Sequence, residues 1–404
     1  MHRLLLFFAL VYAVEGLAQP DGLIAQPLSY YLKTSQGWTP VQITGFTSLL
    51  YFAWIVKPVY GLISDFVPLL GYRRKSYLAL VSLAAIAGFA WVTQLSSPSA
   101  LFPALAITAY AMAIASTLCG AVLVEHGQRL RASGRFVNQQ WLWYNIAAVI
   151  AAVGGGQLVQ QLGPQAALHA AAAIAAFTPL AIIAGALFLI PERKVSINIE
   201  GLSQAFEALK SSFRRRDLWL IAGFLFLYNF SPGLSTPLYF TLTDELKFSQ
   251  GYIGILSSIS AVGWIFGALL YRPIFGSLTL KQLLNVSIGF GAIATASFLF
   301  LTNEASAAVI YFGSGFAGML AMVATLTLAA DYCPPRAEGF TFAVLLSVGN
   351  LASTLANNIG SLLYADIFDH SLRPLVVISA AVTAVAFLVV PLLKLGDKKQ
   401  GEPG

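Results

Sequence analysis

Charge is what this sequence has least of. Asp, Glu, Lys and Arg make up 10% of its 404 residues, where a soluble globular chain carries about 25%. There are too few polar groups to cover a water-facing surface, which excludes a soluble fold. Cysteine is equally scarce. Cys119 and Cys333 sit far apart without metal-ligand spacing, so no metal site is expected, and both read as small apolar packing residues. The four histidines, His2, His126, His169 and His370, are scattered. No H-E-x-x-H, G-x-S-x-G or P-loop spacing occurs. That argues against an enzyme and against an intramembrane hydrolase, and no cofactor is expected. The net charge of +6 is not gathered on a soluble basic face, so nucleic acid is not an expected partner.

What the chain does have is apolar length. It is 58% hydrophobic with a mean hydropathy of +0.76. A membrane β-barrel would show alternating segments of roughly ten residues, whereas these runs last about twenty, the length of a membrane-crossing helix. The reading is an all-α, polytopic membrane protein with twelve spans, near 4–32, 42–64, 77–95, 100–124, 136–161, 166–190, 217–243, 249–271, 280–301, 306–330, 340–363 and 372–395. Arg3 and the apolar run after it imitate a signal peptide. The run continues past Glu15 without an A-x-A site, so it reads as a retained first span. The charged gap at 191–216 splits the chain into two six-helix bundles, 1–190 and 217–395, followed by a cytoplasmic tail at 396–404. Within the gap, Leu202, Phe206, Leu209 and Phe213 at helical spacing predict an amphipathic helix on the inner surface.

The cations orient the spans. With both termini cytoplasmic, 19 of 23 Lys and Arg fall inside, among them Arg3, Arg73, Arg74, Lys75, Arg129, Arg131, six in the central gap and Arg336. Only Lys33, Lys247 and Arg373 fall outside, and Lys57 lies within a span. The asymmetry obeys the positive-inside rule.

The two halves echo each other. Pro27-Leu28-Ser29-Tyr30-Tyr31-Leu32 returns as Pro237-Leu238-Tyr239-Phe240-Thr241-Leu242, and Arg131, Gly134 and Asn145 return as Arg336, Gly339 and Asn350. Parallel six-span repeats related by an axis along the membrane normal are the plan of major facilitator transporters, whose substrate site lies between the halves near the midplane.

The stretch Lys57-Pro58 through Gly61, Asp65, Pro68 and Gly71-Tyr72-Arg73-Arg74-Lys75 is a variant of the major facilitator loop 2–3 signature, with five residues between Asp65 and Gly71. That longer loop resembles the folate–biopterin transporter family within the major facilitator superfamily. So do Thr236-Pro237-Leu238-Tyr239-Phe240 with Leu246-Lys247-Phe248-Ser249, and Asp331-Tyr332-Cys333-Pro334-Pro335-Arg336-Ala337-Glu338-Gly339 with Phe342, Ser347 and Asn350. The similarity covers most of the chain. In one place it departs. The resemblance implies an acidic residue in span 4 shortly before Val124-Glu125, where this chain has Gly120.

Charges inside a span are costly and mark function by default. Lys57 lies about 12 Å above the inner end of span 2, and Glu15 about 18 Å above Arg3, at 1.5 Å per residue. They share a level near the midplane. Either Lys57 binds an anionic substrate group while Glu15 carries a proton or holds Lys57 when the site is empty, or the two form a permanent structural pair. Span 1 is interrupted at Gln19-Pro20-Asp21-Gly22 and span 7 at Tyr228-Asn229-Phe230-Ser231-Pro232-Gly233. Matched breaks of this kind point to a transport site, with Gln19, Asn229 and Ser231 facing it; the alternative is a gating kink without substrate contact. Asp21 is either a second protonation site or an outer-interface residue. Trp54, Tyr60 and Tyr228 are the aromatics chosen to stack on a planar substrate. Asn145 and Asn350 either line the cavity or bond helix to helix.

Asp65, Arg73 and Arg74 read as a cytoplasmic gate, and the resemblance implies a latch closed in the outward-open state. Glu125 and Arg131, and Asp331 and Arg336, are candidate counterparts, or else solvated loop charges. Without a nucleotide site, active transport must draw on an ion gradient. The expected function is proton-coupled movement of a folate- or pterin-like organic anion by a monomer in a bilayer, suited to a bacterial inner membrane. Another anionic metabolite, such as a siderophore or peptide-sugar fragment, is the alternative. A non-transporting receptor is a third reading.

Overall fold

Proline and glycine punctuate the apolar runs, and the helices begin and end where they fall. The computed structural model describes residues 1–130, 133–196, 216–331, 338–393 and 395; the expected amphipathic helix of the central gap lies outside them. In chain order the helices are α1 (His2–Ala18), α2 (Ala25–Tyr30), α3 (Pro40–Ile55), α4 (Lys57–Phe66), α5 (Lys75–Val92), α6 (Pro98–Leu130), α7 (Ser133–Leu162), α8 (Pro164–Phe177) and α9 (Pro179–Phe188). Then come α10 (Arg216–Asn229), α11 (Ser235–Phe240), α12 (Gln250–Leu270), α13 (Leu280–Ser297), α14 (Glu304–Asp331), α15 (Glu338–Leu362) and α16 (Leu372–Val389). No strand occurs among the described residues.

Ten helical segments among the described residues are long and apolar enough to cross a membrane, with α3–α4 and α8–α9 each counted as one. The other two expected spans, 4–32 and 217–243, are each split by an irregular stretch. In the first, α1 stops at Gln19, Gly22 donates to the Gln19 carbonyl at 2.9 Å, and α2 follows. A Cβ on Gly22 would lie 2.4 Å from the Leu17 carbonyl oxygen, so only glycine makes this turn. In the second, α10 gives way at Ser231-Pro232-Gly233 and α11 follows. Both short helices run into one widened turn, Tyr31–Ser35 and Thr241–Glu245, at an offset of 210 residues. The sequence echo at Pro27 and Pro237 therefore has a structural counterpart.

Pro58 divides α3 from α4. Its ring nitrogen cannot bond the Trp54 carbonyl one turn back, and the helix breaks at Val56. This break puts Lys57 at the start of α4. Loop 2–3 closes as a tight turn in which Leu69 and Tyr72 exchange backbone hydrogen bonds at 3.0 Å. Leu70 (φ 54°) and Gly71 (φ 86°) both take positive φ, as a two-residue type I′ turn demands. The extra residues between Asp65 and Gly71 supply that turn.

The chain divides into two compact units. Unit 1 holds Met1–Trp38, Phe46–Ala205 and Gln250–Ser258, and unit 2 holds Thr39–Gly45, Phe206–Ser249 and Ile259–Gly404. In unit 1, α1 lies on α7. Phe8 meets Phe136 at 4.8 Å between ring centroids, and a Cβ on Gly16 would come within 2.6 Å of the Tyr144 carbonyl. The first turns of α12 join unit 1 through a glycine contact: a Cβ on Gly254 would lie 2.5 Å from the Ala152 carbonyl and 3.0 Å from Gly156 Cα. The first turn of α3 joins unit 2, where Thr44 bonds Thr236 at 2.8 Å and Ser361 at 2.7 Å. The core of unit 2 is built from Phe224, Leu283, Leu284, Ile288, Leu320 and Leu328, all inaccessible to solvent. Large apolar side chains also point outward: Phe177, Phe188, Val309 and Leu388 are each 72–75% exposed. Lipid tails solvate such side chains as well as a core does, so close packing and small residues hold the helices together.

Candidate functional site

Unit 1 brings the two intramembrane charges to one hydroxyl. Lys57 Nζ donates to Ser116 Oγ at 3.1 Å, and Ser116 Oγ donates to Glu15 Oε1 at 2.6 Å. Three helices supply the cluster. Glu15 lies in the last turn of α1, Lys57 follows the proline break of α3–α4, and Ser116 lies midway along α6. Glu15 is only 8% exposed, and its second oxygen, Oε2, is buried without a hydrogen-bond partner among the described residues, as is the Tyr12 hydroxyl. A buried, half-satisfied carboxylate is costly unless neutralised. The arrangement thus holds a cation and an anion apart by one hydroxyl, with one carboxylate oxygen open to a proton.

The other expected residues of this half gather around it unequally. The Lys57 ammonium lies 5.9 Å from the centroid of the Trp54 ring, within reach of a cation–π attraction, and Tyr51 packs on Trp54 at 6.1 Å. Gln19 caps α1, is buried, and lies near Tyr144. Asp21 is exposed yet lies within electrostatic reach of Lys57, Tyr51 and Tyr144. Tyr60 turns its hydroxyl into a buried place without a hydrogen-bond partner among the described residues. Asn145 is buried and bonds back to the Trp141 carbonyl of its own helix at 2.7 Å. Gly120 lies one turn beyond Ser116 on α6, and a Cβ there would meet nothing within 4 Å. There is open space for a Cβ at this position, where the resemblance implies an acidic residue and this chain has none.

At the loop 2–3 end of unit 1, the residues expected to form a gate centre on Arg74. Arg74 is 3% exposed and pairs with Asp65 and, at 2.8 Å, with Glu125, while also donating to Ser64 at 2.5 Å. Burial opposes its charge, but Asp65 and Glu125 outweigh that and lift its pKa above the usual arginine value. Arg73 forms no ion pair among the described residues, and its Nε is buried without a partner. What holds the loop is Glu192, just past α9. Its carboxylate accepts the backbone N–H groups of Arg73, Arg74 and Lys75 at 2.8–2.9 Å, an acceptor placed on the positive end of α5. Arg131, Arg336 and the side chain of Asp331 lie outside the described residues.

Unit 2 carries the residues of the second break. Tyr228 donates to Ser287 Oγ at 3.1 Å, Asn229 Nδ2 donates to the Leu225 carbonyl at 2.7 Å, and Ser231 donates to the Ser379 carbonyl at 2.8 Å. Asn350 is half-buried on α15. Asn229 and Ser231 border a hollow of about 280 Å³; Tyr228 does not.

Sequence reasoning missed Ser116 and Glu192. Ser116 is a polar residue in an apolar span, but it is neutral, and hydroxyls commonly bond back to their own helix. Glu192 sits in a loop, where a carboxylate reads as solvated.

The profile of the BT1 family matches residues 15–395. The folate-biopterin transporter of Synechocystis sp. is 30% identical over 412 residues, covering 96% of this chain and 81% of that protein. Folate transporter 1 of Plasmodium falciparum is 24% identical, covering 83% of this chain and 68% of that one. Among solved structures, the nucleoside transporter NupG matches with a TM-score of 0.72 at 15% identity, over 97% of this chain and 98% of that chain. A D-xylose-proton symporter matches at 0.69 and 13% identity, over 98% and 97%. At such identities the structural likeness shows the fold alone, that of major facilitator-type transporters.

Proposed function

Because the chain belongs to the BT1 family and is a multi-pass membrane transporter, we propose that it moves a folate- or pterin-like organic anion by alternating access, driven by protons. The observation that carries the reading is the Lys57–Ser116–Glu15 cluster. Lys57 is the anion-binding cation and Trp54 its aromatic neighbour. Glu15, with Oε2 unpartnered, is the proton carrier, and Asp21 is the second titratable group near Lys57. Protonation of Glu15 removes the charge that shares Ser116 with Lys57 and leaves the ammonium to the substrate. The names of the relatives, a folate-biopterin transporter and a folate transporter, support the substrate class.

The remaining elements follow from this reading. The split segments α1–α2 and α10–α11 complete twelve spans, arranged as two six-helix bundles joined by the cytoplasmic stretch 191–216. Both termini are cytoplasmic and the protein works as a monomer in a bacterial inner membrane. Asp65, Arg74 and Glu125 form the inner latch. Asn145 and Asn350 are helix-to-helix or cavity residues of the two repeats. The open side of Gly120 favours one second reading, an anionic metabolite other than a folate, bulkier at that level.

The test is uptake of labelled folate and of a simple pterin into proteoliposomes, with and without an inward proton gradient. Saturable, gradient-driven uptake is expected. Lys57→Gln loses folate binding, and Glu15→Gln keeps folate binding but loses the response to the gradient. Wild-type affinity in Lys57→Gln would falsify the assignment of the cation site.

A further inference from the structure

The break between α10 and α11 does more than bend a helix. Pro232 has no N–H to give, and the backbone there is pinned from outside. Gly233 donates to the Ala356 carbonyl at 2.8 Å, and Ser379 Oγ donates to the Pro232 carbonyl at 2.7 Å. The pinned backbone forms one wall of the hollow of about 280 Å³ in unit 2, and α13, α15 and α16 supply the others. Its polar lining is entirely neutral, made of serine, threonine and asparagine.

Several of these groups serve the scaffold. Ser231 and Ser379 bond backbone carbonyls, and Asn229 Nδ2 is spent on Leu225. Others are not spent. Thr295, Ser353, Asn357 and Asn229 line the hollow, and Thr295 Oγ1, Ser353 Oγ, Asn357 Nδ2 and Asn229 Oδ1 make no hydrogen bond among the described residues. Polar groups inside a membrane bundle are costly unless something pairs with them. Two hydroxyls, one amide donor and one amide acceptor suit a partner that itself offers both donors and acceptors. The lining has no cation for a carboxylate or phosphate and no carboxylate for a metal ion. With Asn357 Oδ1 accepting from Ser235 and Asn229 Nδ2 donating to Leu225, the Asn357 amide donor and the Asn229 amide acceptor, from two side chains, complement the acceptor and the donor of a lactam or amino-heterocycle edge. The volume approaches the lower end of small-molecule pockets, about 300 Å³, enough for a bicyclic ring.

We propose that this hollow binds the neutral, hydrogen-bonding edge of a planar heterocycle carrying a lactam beside an amine, with Thr295, Ser353 and Asn357 as its specificity residues. The proposal deepens the folate–pterin reading and rests on it for the choice of ring, but it is independent of Lys57.

Two probes separate the ends of the substrate. A simple pterin carries the lactam–amine edge without an anionic chain, and aminobenzoylglutamate carries the chain without the bicyclic ring. Equilibrium binding to the full chain is measured for wild type, the double variant Thr295→Val with Ser353→Ala, and Ser353→Thr. The double variant removes hydroxyls that bond no other side chain, so folding is preserved. It is expected to weaken pterin binding about tenfold, as two neutral hydrogen bonds warrant, and to leave aminobenzoylglutamate unchanged. Ser353→Thr, which keeps the hydroxyl, holds pterin affinity within about twofold. Lys57→Gln shows the reverse selectivity. Unchanged pterin affinity in the double variant, equal losses for both probes, or no pterin binding by wild type each overturns the proposal; the first means that water alone fills the hollow. A wild type that binds pterin as expected but moves none across the bilayer supports this site while removing the transport-substrate reading.

Discussion

A single methyl group tests the packing that shapes the second break. Gly360 on α15 faces the irregular backbone between α10 and α11. A Cβ added there would lie 2.0 Å from the Gly233 carbonyl oxygen and 2.6 Å from its nitrogen. Carbon atoms rest at about 3.5–4.0 Å from their neighbours, so Gly360→Ala must push the two backbones apart by well over an ångström. The neighbours are backbone atoms and have no rotamer to change. Separation stretches the Gly233 bond to Ala356 and loosens the one from Ser379 to Pro232, at about 1 kcal/mol each. Overpacking adds about 1–3 kcal/mol, and the better helix propensity of alanine returns about 1 kcal/mol. The net loss is about 2–4 kcal/mol, or roughly 4–16 °C in the midpoint of a domain of this size. Gly120→Ala is the matched control, because its Cβ meets nothing within 4 Å; its midpoint stays level or rises. Thermal unfolding of purified protein in detergent reads both. An unshifted Gly360→Ala, or a larger loss in Gly120→Ala, refutes the reasoning.

Three further outcomes follow from the loop 2–3 and Lys57 clusters. Arg74→Ala strips the partner from Asp65 and Glu125. These carboxylates are 43% and 49% exposed and rehydrate, so the cost is about 2 kcal/mol, below that of a broken buried pair. Arg73→Ala stays within about 0.5 kcal/mol; equal losses in urea unfolding would contradict the asymmetry. Glu192→Gln gives up a charged acceptor for three backbone N–H groups and destabilises by about 1–2 kcal/mol. It also speeds protease cleavage at loop 2–3, and an unchanged cleavage rate would remove Glu192 as the clasp. Ser116→Ala cuts gradient-driven uptake about tenfold or more, the loss of one or two charge-assisted hydrogen bonds, while Ser116→Thr retains most of it. Equal initial rates in the two variants would show that the hydroxyl plays no part.

What was legible in the sequence is what a membrane makes expensive. Lys57 and Glu15 stood out because a charge in a span needs a reason, and the structure brings both to one oxygen. The proline–glycine breaks stood out because they remove backbone hydrogen bonds where water cannot replace them, and α1 and α10 stop where those residues fall. Neutral partners were not legible. Ser116, Thr295 and Ser353 are ordinary residues of membrane helices, and their one-dimensional pattern does not say whether a hydroxyl turns to its own helix, as Thr117 does toward Ala113, or to another. Arg73 and Arg74 are chemically alike and adjacent, and each leaves its Nε buried without a partner among the described residues, yet a one-residue change in direction pairs only the Arg74 guanidinium with Asp65 and Glu125. Asn145 shows the limit from the other side: it is polar, buried and placed like Asn350 in the repeat, and it spends its amide on Trp141 in its own helix. Repeat position therefore indicates which helix a polar residue occupies. Whether that residue meets a ligand depends on what its neighbours leave unpaired, and beside Lys57 in unit 1 that includes the second carboxylate oxygen of Glu15.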